Sequence, residues 1–560
     1  MAISPQNAAT EAPSSPAVPP EPEGNVWRET LESVLIAFVM ACMFRNFLAE
    51  PFVIPTGSMA PTLQGKHYDL VCPQCGTSFR KGYSDSNPAA PGAGLNATTA
   101  ACCPNCQYVQ AVQPETDKYE QVFEGDRIVV NKFIYDFHPP ERWDVIVFKY
   151  PEDPKTNYIK RLIGLPGETL KIEHGDIWLK PPSGANLPAG TGPQWEIARK
   201  PNLAKLRAML QPVHDQDHQP EELLAKGWPS RWQNWAMPNQ PGWKTSADQK
   251  VFTLDKTTEL TSLRYLHLLV DQYNWDQVDP PGGKASLAQP SLQPVPQLIR
   301  DFYPYNYAPF PNARDGIHWV GDLALMCEVQ TAEQTGLLRL ELVKGGRVFH
   351  AEIDLASGIA RLRIPGVENY QPKSTTRVWS SATKQVMFAN VDDQLWLVIN
   401  GQPVEFDSPT TYDHLGNTRP AELPSIRPGE QRVTDHSPAG ISVQGSAATV
   451  SSLRIMRDVF YTGSSQATDG MQRNQIELKK NPADPSRDQF FMLGDNSPSS
   501  SDSRYWLTQG FVERRQLVGK AMAIYWPHSW PTTYSLPIMI RGVRYDFPFM
   551  PNWSRMNFIR

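Results

Sequence analysis

The chain of 560 residues lacks basic clusters and long apolar runs. Its net charge is −5, so nothing in the composition favours a nucleic acid or an anionic surface as partner. The first 24 residues contain no Lys or Arg and are rich in Pro, Ala, Ser and Glu. That composition predicts a disordered tail over residues 1–25.

The apolar stretch from Ser33 to Phe44 is short for a membrane span, which needs roughly 20 residues. Three structures fit it: a buried helix, a signal-peptide core or a marginal span. A cleaved signal is disfavoured, because the leader is acidic and no good small-x-small site follows. A transmembrane helix over residues 26–50 requires its charged residues to lie at the interfaces. These are Glu29, Glu32, Arg45 and Glu50.

Two short stretches suggest a Ser–Lys hydrolase. Ser58 follows a glycine in the turn-like stretch Pro55–Thr62, and Lys160 lies in the strand-like apolar run Tyr158–Leu165. Singly, each is usually an ordinary residue: a turn serine, or a strand lysine that extends to water. A free lysine has a pKa of about 10.4, so burial in an apolar wall must lower it before the amine can act as a base. Arg161 is expected on the opposite face of the strand.

Four further blocks accompany these stretches in a fixed order: Gly125–Lys132, Arg142–Phe148, Gly164–Glu168 and Phe491–Arg504. Together the blocks resemble type I signal peptidases, the membrane-bound Ser–Lys dyad leader peptidases of family S26. The resemblance covers roughly residues 26–180 and 470–530. One departure is that many bacterial members have Arg-Asp after the Gly-Asp-Asn triplet, where this chain has Ser497 and Pro498.

The resemblance implies a role for each matching residue. Ser58 would be the nucleophile and Lys160 the general base. Thr56 would donate its hydroxyl to an oxyanion hole, together with the backbone N–H of Ser58. Ser500 would help to orient the lysine amine. Three polar residues would support this region: Asp495, Asp502 and Arg504.

The resemblance also implies partners and a location. Substrates would be exported preproteins with small residues, typically alanine, at the first and third positions before the cut. The lipid bilayer would be a second partner, and catalysis would need no cofactor. The enzyme would be single-pass in the cytoplasmic membrane, with the tail inside and everything after residue 50 on the outer side.

Two Cys-Pro-x-Cys knuckles within residues 68–112 are typical of a zinc ribbon. An outward-facing domain can instead meet an oxidising space, where the same thiols would form two disulfides. Zinc is favoured over disulfides because each knuckle is followed by Gly or Gln, which suits a metal-binding turn. The zinc would be structural, because four thiolates leave no open coordination position. Cys102 could replace Cys103 as a ligand. The candidate ligands are Cys72, Cys75, Cys103 and Cys106.

The catalytic blocks leave a long insertion between them, since a bare catalytic domain is far shorter than this chain. Residues 51–180 are predicted as the first catalytic part, and 470–535 as the second. Residues 181–242 are rich in Pro and Trp and predict an irregular linker. Period-two alternation over 243–460 predicts an antiparallel sandwich. Residues 536–560 would be a C-terminal extension.

The predicted fold is therefore mainly β. It would comprise an N-terminal transmembrane helix and a signal-peptidase-type β catalytic domain. That domain would be interrupted by a small four-cysteine ribbon and a large antiparallel, jelly-roll-like β-sandwich. In the sandwich, Val391–Val404 and Ala448–Ile455 resemble laminin-G and concanavalin-like proteins. Such folds often bind glycans, but a structural role or docking to an envelope protein fits equally well.

Three other functions fit the sequence less well. A repressor-type Ser–Lys autoprotease is disfavoured by the anchor and by the block with the second serine. An envelope binding protein on an inactive protease scaffold is disfavoured by the intact set of Ser58, Thr56, Lys160 and Ser500. A zinc-ribbon nucleic-acid binder is disfavoured by the charge.

Overall fold

The structure is a computed structural model, and it describes most of the chain. The described residues are 26–43, 49–83, 100–112, 122–180, 194–235, 241–278, 294–307, 316–376, 379, 381–413, 431–463, 475–527, 536–540, 543–547 and 553–560. They form strands far more often than helices, which confirms the prediction of a mainly β protein. The tail predicted over residues 1–25 lies outside them.

The N-terminal helix spans Val26–Met43 and belongs to the first of two compact units, the second of which begins at Pro51. Arg28, Glu29 and Glu32 occupy its first two turns, which leaves it fewer apolar residues than the roughly 20 of a membrane span. Within the described residues, no helix combines the length and the apolarity needed to cross a membrane. The predicted transmembrane helix over residues 26–50 is therefore not supported.

The other helices in the described residues are short. They are Ile134–Phe137, Leu203–Met209, Glu221–Ala225 and Gln272–Val278. The second of these begins at Asn202, whose side chain accepts a hydrogen bond from the backbone N–H of Lys205 and so caps the helix. Such short helices gain little from propensity alone, and their stability depends on packing against the rest of the fold.

The sheet of the predicted catalytic domain, called the catalytic sheet below, is built from two parts of the chain that lie on either side of the insertion. Its strand Asn157–Gly164 pairs antiparallel with Val145–Lys149 on one side and with Gln489–Leu493 on the other. Because Gln489–Leu493 follows the long insertion, this sheet forms only when two distant parts of the chain meet. In sheet order the strands are Ala49–Val53, Arg127–Asn131, Leu517–Trp526, Val145–Lys149, Asn157–Gly164, Gln489–Leu493 and Val512–Glu513, with Asn557–Phe558 beside Leu517–Trp526.

Two smaller sheets and a separate strand pair are formed by segments that lie, in sequence, between the strands of the catalytic sheet. One contains, in order, Glu196–Ile197, Asp176–Lys180, Thr169–Glu173 and Ile476–Glu477. A second contains Ser78–Gly82, His67–Val71 and Val122–Phe123, and a separate pair is formed by Ala100–Cys102 and Val109–Ala111. The segment predicted as a C-terminal extension contains the hairpin Leu536–Ile540 and Val543–Phe547.

The insertion folds into two larger antiparallel sheets that share one hydrophobic cluster. The first contains Lys244–Thr245, Phe252–Leu254, Ala448–Arg457, Leu323–Thr331, Lys384–Val391, Gln394–Ile399 and Gln402–Pro403, with Gln211–Asp215 beside Ala448–Arg457. The second contains Trp232–Trp235, Thr261–Tyr265, Ala439–Gln444, Leu337–Lys344, Arg347–Asp354, Ile359–Arg363 and Lys373–Thr375. Two of these strands, Gln211–Asp215 and Trp232–Trp235, come from the stretch predicted as an irregular linker.

A buried charge network ties the linker to the insertion. Lys200 lies 2.9 Å from Asp392 and also contacts Asp458, and each of these side chains is at least 95 % buried. Lys344 likewise contacts Asp322. Removing one partner of such a buried pair leaves an uncompensated charge, which typically costs about 3–5 kcal/mol. The network therefore fixes the position of the insertion relative to the chain that leads into it.

Candidate active site

Ser58 lies in a short 3-10 turn, Gly57–Met59, and is buried. The loop that carries it is clamped by Asp126, which directly precedes the next strand of the catalytic sheet. The backbone N–H of Ile54 donates to Asp126 O at 2.9 Å, and the backbone N–H of Gln64 donates to Asp126 Oδ2 at 2.7 Å. The clamp holds both ends of the loop, so the serine has a fixed position.

Lys160 extends from the centre of the catalytic sheet toward this serine. Its Nζ lies 2.8 Å from Ser58 Oγ and 3.0 Å from the backbone oxygen of Ile159, and its side chain is buried. Burial lowers the pKa of Lys160 to about 8, partly offset by the negative charge of Asp502. At pH 7, a pKa of 8 leaves about one amine in ten as free base, whereas a pKa of about 10.4 leaves fewer than about one in a thousand.

Arg161, the next residue along the strand, points away from the amine, as its position predicts. It is fully buried, and its guanidinium donates to both carboxylate oxygens of Asp495 at 2.7 and 2.6 Å. Thr62 also donates to Asp495, at 2.5 Å. This bidentate pair joins the lysine strand, the serine loop and the C-terminal catalytic part.

Asp502 and Arg504 form a second buried pair, with Nη2 of Arg504 lying 2.7 Å from Asp502 Oδ2. Asp502 also accepts from the backbone N–H of Gly494 at 3.0 Å. Ser497 stands where many bacterial members have arginine, and its Oγ accepts from Arg504 Nη1 at 2.8 Å. Hydrogen bonds from Arg504 to Ser497 therefore brace this turn.

Two predicted residues lie near the serine without a hydrogen bond to the lysine amine in the described part of the chain. A Cβ on Gly494 would fall 2.2 Å from Ser500 Oγ and 2.5 Å from the backbone oxygen of Ser58, which places both beside this glycine. Ser500 Oγ is buried and has no hydrogen-bond partner among the described residues. Thr56 directly precedes the turn, and it is exposed.

The structure adds residues that the sequence did not single out. Asn496 donates from Nδ2 to the backbone oxygen of Gly57 at 3.0 Å, and its backbone N–H donates to the oxygen of Ser58 at 3.1 Å. Asn306, from the insertion, pairs with the side chain of Asn496. Asn496 could have been found as a polar member of the Gly-Asp-Asn block. No sequence signal points to Asn306, because only tertiary packing brings it there.

The four predicted cysteine ligands also meet. Their sulfur atoms all lie within 4.8 Å of one another, and all four side chains are buried. Cys72 Sγ lies 3.5 Å from Cys106 Sγ, and Cys75 Sγ lies 3.6 Å from Cys103 Sγ. Cys102 instead contacts the backbone oxygen of Gln107. The arrangement fits a tetrahedral zinc site, in which thiolates at about 2.3 Å from the ion lie about 3.8 Å apart.

The site thus brings together a buried serine hydroxyl, a lysine amine of lowered pKa and two braced carboxylates. A neutral amine at 2.8 Å can accept the hydroxyl proton, which makes the serine a nucleophile. The residues involved lie far apart in the sequence, yet the fold brings them into one site. They are Ser58, Lys160, Asp495, Ser500, Asp502 and Arg504.

A known protein family matches the parts of the chain that contain the candidate site. The family model described as signal peptidase, peptidase S26, matches residues 27–77, 105–194 and 385–526, about half of the chain. A probable signal peptidase I-1 of Synechocystis sp. is 27 % identical over 188 residues, which is 30 % of this chain and 65 % of that protein. Signal peptidase I of Pseudomonas fluorescens is 31 % identical over 130 residues, 23 % of this chain and 29 % of that protein. The chain thus matches less than two thirds of the length of either relative.

Among solved structures, a carbohydrate binding module from Bacillus subtilis aligns with 40 % of this chain and 95 % of its own. The TM-score is 0.21 and the sequence identity is 7 %. Values this low carry no statement about function.

Proposed function

Since this chain belongs to the signal peptidase family, peptidase S26, we propose that it removes N-terminal signal peptides from exported preproteins. Ser58 is the nucleophile and Lys160 the general base. The observation that carries the proposal is the 2.8 Å separation between Lys160 Nζ and Ser58 Oγ inside a buried site. The substrates carry small residues, typically alanine, at the first and third positions before the cut.

The mechanism follows from the positions of these two groups. Lys160 Nζ takes the proton of Ser58 Oγ as this oxygen attacks the scissile carbonyl. The negative oxygen that forms is stabilised by the backbone N–H of Ser58 and the hydroxyl of Thr56. Lys160 then gives its proton to the leaving amine, the peptide bond breaks, and the signal peptide remains as an ester on Ser58. Water, activated by the same amine, hydrolyses this ester.

The dyad is tested by single substitutions. We expect Ser58→Ala and Lys160→Ala each to abolish cleavage of a preprotein with an Ala-x-Ala site, because the reaction loses its nucleophile or its base. The control is Lys155→Ala, which removes an exposed lysine and should cleave like the wild type. Cleavage is followed by gel mobility and by N-terminal sequencing of the product. Near-native cleavage by a folded Lys160→Ala variant would refute the dyad.

The second prediction concerns pH. The base acts only when it is neutral, and the pKa of Lys160 is lowered by burial to about 8. We therefore expect kcat to rise as pH increases through about 8, about tenfold per unit below the midpoint, and to level off above it. Single-turnover cleavage between about pH 6 and about pH 10 measures this profile. A midpoint close to the ordinary lysine value would mean that the acting base is not a buried lysine.

We also propose that the four clustered cysteines hold a structural zinc ion. Cys72, Cys75, Cys103 and Cys106 offer four sulfur ligands with separations close to those of a tetrahedral site. Trp275 Nε1, from a helix of the insertion, donates to the backbone oxygen of Cys106 at 3.0 Å. The zinc ribbon would therefore also anchor the insertion, while catalysis itself proceeds without a metal.

The zinc proposal predicts about one zinc per purified chain, measured by elemental analysis. We expect Cys103→Ser to lose the metal and to unfold at lower temperature, because one of four ligands is gone. Cys102→Ser is the matched control, since its thiol lies outside the cluster, and it should keep the metal. Two disulfides in the wild type, seen by mass spectrometry without reduction, would contradict the proposal.

We further propose that the chain associates with a membrane surface through the helix Val26–Met43. The apolar side chains of this helix are exposed over much of its length, among them Leu35 at 61 % and Phe38 at 65 %. Exposed apolar area on a helix of this kind favours the interface of a bilayer.

The prediction that the sandwich contacts a glycan or an envelope protein stays a prediction.

Flotation with phospholipid vesicles tests this association. The wild type is expected to float with the vesicles, whereas a Leu35→Gln, Phe38→Gln double variant should remain at the bottom of the gradient. Ile317→Gln serves as the control, because Ile317 is 78 % exposed but lies in the insertion. If the double variant floats as well as the wild type, the helix does not mediate the association.

A further inference from the structure

The insertion contributes a short turn to the wall of the candidate active site. Residues 301–307 leave the sandwich and form a 3-10 turn at Pro304–Asn306. Tyr305 of this turn packs directly on Gly57, the residue before the nucleophile. A Cβ on Gly57 would lie only 2.1 Å from Tyr305 Cε1, so the ring occupies the space that any other residue would need. Tyr305 also donates from its hydroxyl to the backbone oxygen of Lys66 at 3.2 Å.

Asn306 makes the second contact of this turn. Its Nδ2 donates to Asn496 Oδ1 at 2.6 Å, and Asn496 Nδ2 donates back to Asn306 Oδ1 at 2.8 Å. This reciprocal pair holds the amide plane of Asn496 in place. The side that faces the serine loop is selected by the oxygen of Gly57, which can accept a hydrogen bond only from Nδ2. The Nδ2 group is thereby directed to the backbone oxygen of Gly57, at 3.0 Å.

The oxygen of Gly57 and the backbone N–H of Ser58 belong to one peptide unit. That unit is planar, so a hydrogen bond that holds the oxygen also sets the direction of the N–H. In the proposed function this N–H is an oxyanion-hole donor, and such donors act only when they point at the developing charge. The backbone N–H of Ala60 also donates to the oxygen of Gly57, at 3.0 Å. The orientation of the donor thus depends on two hydrogen bonds, and the one from Asn496 is supported by Asn306.

The same turn is tied to the sandwich at its other end. Arg457, buried at the end of the strand Ala448–Arg457, donates to the backbone oxygens of Asp301 and Phe302 at 3.2 and 2.9 Å. The backbone N–H of Asp301 donates to the oxygen of His318 at 3.0 Å. A continuous series of contacts therefore runs from the sandwich to the peptide unit of the nucleophile.

We propose that Asn306 is a positioning residue for the oxyanion hole, so that the inserted sandwich is an integral part of the peptidase site. The inference rests on the proposed function, since it assigns a role within that reaction. Asn306 acts through Asn496 and does not touch the substrate. Its contribution is made in the transition state, where the charge on the carbonyl oxygen develops, and it falls on kcat and not on KM.

The test compares variants of the full chain in cleavage of an Ala-x-Ala preprotein. We expect Asn306→Ala to lower kcat about tenfold, less than the loss of a whole donor, with KM and the pH midpoint unchanged. Asn306→Asp keeps the shape but cannot donate to Asn496 Oδ1, so its kcat should fall at least as far. Asn481→Ala removes an amide from a turn elsewhere in the catalytic part and should leave kcat unchanged.

A double-mutant cycle separates positioning from general packing. Because Asn306 acts through Asn496, adding Asn306→Ala to Asn496→Ala should cause no further loss of kcat. Full activity of Asn306→Ala or Asn306→Asp in a cleaving wild-type background would overturn the inference alone. Losses of kcat that add in the double variant would also overturn it. The same holds for a fall in kcat of the Asn306 variants that comes with a shifted pH midpoint and a lower melting temperature. A folded wild type that cleaves nothing would overturn the proposed function, and the inference with it.

Discussion

The desolvation of one amine is the constraint on which the rest of the site depends. A lysine in water is almost entirely protonated at neutral pH, so Lys160 needs apolar surroundings before it can accept a proton. The catalytic sheet supplies them, because its strands from both ends of the chain bury the amine beside Ser58 Oγ. The surrounding charges are arranged accordingly. Arg161 is neutralised by Asp495, and Arg504 by Asp502, so each of these buried guanidinium groups has its own partner.

The same sheet explains why the site tolerates a very long insertion. The insertion leaves the catalytic part after one small sheet and returns before Gln489–Leu493, and the lysine strand pairs with this returning strand. Loop closure costs grow only slowly with loop length, and a folded insertion keeps the two ends in place. The buried ion pairs around Lys200 and the contact of the cysteine ribbon with Trp275 fix the inserted part against its surroundings.

The candidate catalytic residues could be predicted from sequence because the short blocks that contain them stand in the order typical of a known family, although each residue alone also has an ordinary explanation. A serine after glycine in a tight turn, a lysine within an apolar strand and a Gly-Asp-Asn block each have a local pattern. The cysteine knuckles also have one, and the distances in the structure favour Cys103 over Cys102 as the fourth member of the cluster. The predicted spanning helix lacks support for a physical reason: charges in its first two turns, such as Glu29, shorten the apolar stretch.

The order of the short sequence blocks, through their resemblance to a known family, indicates which groups could act as nucleophile, base and supporting carboxylates. Alternation along each strand, which is a local property, specifies the β character of the insertion. How these groups meet depends on the folding of the whole chain. The pairing of Asn306 with Asn496, the packing of Tyr305 on Gly57 and the ion pair of Arg161 with Asp495 join residues far apart in sequence. Such contacts arise from the packing of whole sheets, and no local pattern encodes them.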